Sequence, residues 1–132
     1  MSLLTFVREW RGRYCTVAGG AGRQCVDLAN QYLAELWHLN ARQLNAVDWA
    51  TIALPGMTWV PNGPTNTPPT DSLVVWGAYP KESIGQAGHI AICIEAEVMW
   101  LLSFDQNWPD GSPCGLVLHD YGGVLGWHRP AG

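Results

Sequence analysis

With 132 residues, 48% of them apolar and 14% charged, the chain can bury a core and is neither disordered nor fibrous in composition. A net charge of −4, with seven Lys and Arg scattered along the chain, leaves no basic stripe for nucleic acid or an anionic membrane surface. No run reaches the length of a membrane span, and Met1 to Glu9 lack the basic region and long apolar stretch of a secretion signal.

Leu3 to Arg11 reads as a short amphipathic helix with Leu3, Phe6, Val7 and Trp10 on one stripe. A glycine-rich loop, Gly12 to Gly22, follows. Gln24 to Asn40 is the strongest helix, with Val26, Leu28, Ala29, Leu33, Leu36 and Trp37 on its apolar side. A shorter helix is expected over Ala46 to Leu54, ending before Pro55-Gly56. Pro61 to Pro69 holds four prolines and reads as a surface loop. Strands are expected at Asp71 to Ala78, Gly88 to Glu95, Val98 to Gln106, Leu116 to Tyr121 and Val124 to Arg129. Helices first and an antiparallel sheet after them make an α+β arrangement, read as one domain over residues 1–132. The eight tryptophans serve either the core or an aromatic groove for a sugar or peptide.

The chemistry centres on Cys25, in Gly22-Arg23-Gln24-Cys25-Val26-Asp27-Leu28. It opens a helix, where the free N–H groups and partial positive charge favour the reactive thiolate. Cys93 lies between Ile92 and Ile94 and is expected to be inert packing, while Cys15 and Cys114 lie in loops. The four cysteines show no C-x-x-C spacing, so no zinc site is expected. Cys15 and Cys114 could pair, although a reducing compartment disfavours a disulfide.

A histidine would complete the reactive pair, and His89 competes with His38, His119 and His128. His89 alone follows a glycine on an apolar strand, Gly88-His89-Ile90-Ala91-Ile92, with a polar pair at the end of the next strand. Pairing His89 with Asp105 matches Ile90 with Phe104, Ile92 with Leu102 and Ile94 with Trp100. That register leaves His89, Ala91, Ser103 and Asp105 on the other face. Asn107 would share the face of Asp105, and Gln106 would point away. Asp105 is favoured over Asn107 to orient His89, because it adds charge to the hydrogen bond. Gln24 could offer its side-chain amide to an oxyanion together with the Cys25 N–H.

At Gln24-Cys25-Val26-Asp27-Leu28, Asp71-Ser72-Leu73-Val74-Val75-Trp76, Gly88-His89-Ile90-Ala91-Ile92, Asp105-Gln106-Asn107-Trp108 and Gly126-Trp127-His128-Arg129-Pro130, the chain resembles the CHAP family. These are cysteine, histidine-dependent amidohydrolases/peptidases of the papain-like superfamily. The resemblance implies N-terminal helices packed on a sheet of about five or six antiparallel strands. It implies hydrolysis of a peptidoglycan amide or peptide bond through a thioester, as in a phage endolysin. By motif, Cys25 is nucleophile, His89 general base and acid, Asp105 the orienting group with Asn107 close by, and Gln24 the oxyanion donor. Trp76 and Trp108 are expected at the substrate. A bacterial wall-remodelling or effector amidase, or a silent wall-binding module of the same fold, is the alternative. Thr16 to Gly22 lacks the carboxylates of the calcium loop some relatives carry, so no metal or other cofactor is expected. His128, where an aliphatic residue is more usual, is taken as incidental. Peptidoglycan is the expected partner, for a monomer that could belong to a longer chain with a wall-binding domain. The lack of a secretion signal fits release from the host cytoplasm through a holin-type pore, with an extracellular enzyme as the other possibility.

Overall fold

Period-two alternation along the central strands sorts their side chains onto two faces, and both faces are apolar enough to be covered. The computed structural model, which describes residues 1–17, 22–77 and 87–131, shows this directly. Six strands form one antiparallel sheet: β1 (Met57–Pro61), β2 (Leu73–Trp76), β3 (His89–Ala96), β4 (Leu101–Asp105), β5 (Gly115–His119) and β6 (Val124–Pro130). Their spatial order is β1-β6-β2-β3-β4-β5. Two helices precede them, α1 (Leu3–Trp10) and α2 (Cys25–Tyr32).

One face presents Leu73, Val75, Ile90, Ile92 and Phe104, which pack with Phe6 of α1 and Leu28 and Tyr32 of α2. The opposite face carries Val74, Trp76, Ala91, Cys93 and Leu101 with Trp127 and the half-buried Trp108 and Tyr121. His89, Ser103 and Asp105 alternate with the first set, so they belong to the second face, lined by tryptophan rather than by helix.

The first helix ends at Trp10, close to the expected bound. The second is shorter than Gln24 to Asn40: α2 stops at Tyr32 and continues as a π turn, Leu33–Trp37. His38, left-handed at φ 54, ends it. The expected 46–54 helix is a 3-10 stretch, Ala46–Thr51. The Ala78 end of the expected 71–78 strand and residues 18–21 of the approach to Cys25 lie outside the described residues. One strand was not foreseen: β1 pairs with β6 at the sheet edge, where the closing Pro61 is tolerated.

The β3–β4 register also differs from the expectation. Ile92 faces Phe104 and Cys93 faces Ser103, two residues away from a pairing of Ile90 with Phe104. A bulge between Cys93 and Glu95 and a later start of β4 absorb the difference. A shift of two preserves both faces, so apolar alternation cannot distinguish the two registers. His89 and Asp105 therefore still share a face, as diagonal neighbours.

Gly88 is what lets β3 begin here. Its φ is +75°, and an added Cβ would run into the Trp76 carbonyl oxygen and lie 2.9 Å from Val47 Cβ. Gly88→Ala is expected to cost about 2–4 kcal/mol of stability, read as a lowered urea midpoint. A midpoint equal to wild type would contradict this account of the β3 start.

Candidate active site

The approach to α2 makes two left-handed steps, Gly22 at φ 69 and Arg23 at φ 61, before Gln24 turns extended as the helix N-cap. Asp27 secures that turn: its Oδ2 accepts from Gln24 N at 2.8 Å, and its own N–H donates to Gln24 O at 3.1 Å. Cys25 is thereby the first residue of α2, 9% exposed, at the end where backbone N–H groups lack intrahelical partners.

A buried amide fastens this turn to the sheet. Gln106 Nε2 donates to Gln24 O at 2.7 Å and Cys15 O at 3.0 Å, and Oε1 accepts from Cys15 N at 2.7 Å. Gln106 follows Asp105, so the two side chains leave the chain on opposite faces. One fixes the loop that delivers the thiol, and the other reaches the imidazole.

His89 Nε2 lies 2.7 Å from Asp105 Oδ2. This leaves Nδ1 for Cys25, whose thiol is within hydrogen-bonding reach of the ring. Asp105 Oδ2 also meets His119 Nε2 at 2.9 Å, and Ser103 Oγ donates to Oδ1 at 2.5 Å. Trp76 and Trp108 pack on His89 with ring centroids at 5.1 and 4.9 Å, and on His119 at 4.7 and 5.1 Å.

Burial alone would push the His89 value down, yet hydrogen bonds to Asp105 and Cys25 outweigh it and raise it to about 9. Burial would likewise raise Asp105, but the bonds from His119 and His89 hold its carboxyl below the ordinary value. The arrangement is a thiol and an imidazolium backed by a buried carboxylate, which suits nucleophilic attack on a carbonyl and protonation of its leaving group.

Cys25, His89 and Asp105 thus come together as the sequence suggested. Asn107 does not join them: at φ 65 its amide donates to Gln24 Oε1 at 3.2 Å and accepts from Gly111 N at 2.5 Å. It holds the oxyanion candidate instead of the histidine, because the chain leaves strand geometry after Asp105. With Gln24 Oε1 so engaged, the exposed Gln24 side chain has its NH₂ left to donate. Trp76, expected at the substrate, is 1% exposed and sits behind the two imidazoles, whereas Trp108 is half-buried beside them.

His119, set aside on sequence as a rival to His89, proves to be a second partner of Asp105. Ser103 and Gln106 were also missed as site residues, although alternation placed them on the correct faces. His128 is buried, and its Nε2 meets Trp49 O at 2.6 Å, so it braces the sheet against the 3-10 turn. Burial pushes the Cys93 thiol up to about 12, in keeping with inert packing. Cys15 and Cys114 are free thiols with their sulfurs 3.8 Å apart. His89, Asp105 and His119 bring three donor atoms within 4.8 Å of one another and could hold a divalent cation, a capacity the sequence reading did not anticipate.

A family model described as the CHAP domain matches residues 14–107. No curated protein sequence matches the chain. Among solved structures, wild type endolysin LysIME-EF1 aligns with a TM-score of 0.83 at 25% identity, over 96% of this chain and 62% of that one. Ly7917, solved with "the hydrolyzing product of MDP", aligns at 0.73 and 17% identity over 98% of this chain and 61% of its own. A second Ly7917 structure gives 0.68 and 18%, over 96% and 60%. The chain therefore spans less than two thirds of the length of these neighbours, and the likeness to Ly7917 is one of fold.

Because the folded His89 value lies above its unfolded 6.5, its protonation adds stability that is full below pH 6.5 and lost as pH rises through about 9. The His89 ring resonances should titrate near 9, and Asp105→Asn should bring the midpoint down by roughly one unit or more. A wild-type midpoint at 6.5 would contradict the ion pair.

Proposed function

This chain belongs to the CHAP family, and from that premise we propose that it hydrolyses an amide or peptide bond of bacterial peptidoglycan. The observation that carries the reading is the line from the helix-opening Cys25 through His89 to the buried Asp105. Cys25 thiolate attacks the substrate carbonyl, and the oxyanion takes N–H donors from the Gln24 side chain and the Cys25 backbone. His89 Nδ1 gives its proton to the leaving amine, which departs as the thioester forms. The same nitrogen then takes a proton from water, which attacks the thioester and frees Cys25. Asp105 stays ionised throughout and holds the ring by Nε2–H.

The similarity to an endolysin supports a lytic enzyme of phage type, acting on the wall after release through a membrane pore or from outside the cell. A silent wall-binding module of the same fold would have no use for an imidazole raised to about 9 beside a helix-opening thiol, so the catalytic reading is favoured. Half-buried Trp108, beside His89, is the aromatic surface best placed for a sugar or peptide.

Cys25→Ala is expected to remove wall clearing while leaving the melting temperature within about 2 °C of wild type. Clearing above a buffer blank by that variant would refute the thioester route. Mass spectrometry of muropeptides released by the wild type identifies the bond: a freed L-alanine N-terminus marks an amidase, and a new terminus within the stem or bridge marks an endopeptidase.

A further inference from the structure

We propose that His119 is a positioning residue: by donating from Nε2 to Asp105 Oδ2, it fixes the carboxylate that orients His89. The proposal rests on the reading of Cys25, His89 and Asp105 as the reacting group.

Two imidazoles converge on one oxygen, His89 from β3 at 2.7 Å and His119 from β5 at 2.9 Å, while Ser103 holds the other oxygen. The carboxylate cannot rotate without breaking one of these bonds. The donors differ in what happens to them during turnover. His89 alternates between imidazolium and neutral ring, so the charge it offers Asp105 comes and goes. The His119 donor lies outside the proton route and keeps the same hydrogen bond in both states. It therefore compensates a fully buried carboxylate when His89 is neutral, which is when compensation is weakest.

The surroundings favour this role over simple packing. The His119 ring is clasped by Trp76 and Trp108, the same pair that clasps His89. It also borders a cavity of about 170 Å³ lined by Trp76, Trp108, Leu118, Asp120 and Gly122. The titratable groups around Asp105 are His89 from β3, with Cys25 of α2 beyond it, and His119 from β5, with Asp120 at the cavity.

Two variants separate donor from volume. His119→Phe keeps a ring between the tryptophans and loses the donor, while His119→Gln keeps an N–H. Alkylation of Cys25 by iodoacetamide, followed against pH by peptide mass spectrometry, needs no wall substrate. The acid limb of that profile should move up by roughly one pH unit in His119→Phe and return in His119→Gln. On wall substrate, His119→Phe should lose about ten- to a hundredfold in kcat with KM little changed, and His119→Gln should recover most of it.

A phenylalanine variant with wild-type rate and acid limb would overturn the proposal, as would equal impairment of both variants with the limb unmoved. Loss of activity on chelation, restored by a divalent cation, would also overturn it by making His119 a metal ligand. Should the phenylalanine variant not fold, ¹⁵N spectra of wild-type histidines decide. His119 Nε2 should be the nitrogen that carries the ring proton, and a bare Nε2 would refute the donor. If the wild type clears no wall while the alkylation shift is present, the functional reading fails and the positioning role stands.

Discussion

A carboxylate with no access to water must be held ionised by its neighbours, and at Asp105 that requirement organises the site. Leaving such a charge uncompensated costs several kcal/mol, whereas hydrogen bonds to a charged group contribute about 1.5–3 kcal/mol each. Asp105 has three, from Ser103, His89 and His119, each from a different position in β4, β3 and β5. The three strands must pair in the observed order for these donors to meet. Compensation of one buried charge thus depends on the assembled centre of the sheet.

The same strand end performs a second task through the next residue. Asp105 projects onto the tryptophan-lined face and reaches His89, while Gln106 projects onto the helical face and binds both Cys15 and Gln24. The thiol and the imidazole come from elements 64 residues apart, and this dipeptide ties the approach of one to the partner of the other. Asn107 extends the link by taking the Gln24 side chain. Cys25, His89 and Gln24 are all referred to β4 and the turn that follows it.

Much of this was legible in the sequence because it depends on alternation. Period two placed His89, Ser103 and Asp105 on one face and sent Gln106 to the other, and those assignments survive a register error of two residues. The register itself was not legible: the bulge after Cys93 leaves no compositional mark, and either pairing keeps apolar residues together. β1 was hidden by its brevity and by the proline that ends it, a residue that edge strands accept. His119 was passed over because its local pattern is ordinary. His119 pairs with Leu101 rather than with Asp105, so its side-chain contact with the carboxylate is one that strand pairing read from the sequence does not supply. Trp76, expected at the substrate, packs against both imidazoles but is buried, a depth that a motif does not report.

The site depends on Asp105 being ionised while fully buried. Carbon-13 NMR of protein labelled at the aspartate carboxyl, assigned with Asp105→Asn, follows its protonation as pH is lowered from 7. The carboxyl should remain ionised at its ordinary value of 3.8 and protonate only below it. An Asp105 carboxyl that takes up its proton above 3.8 would contradict the compensation on which the site is built.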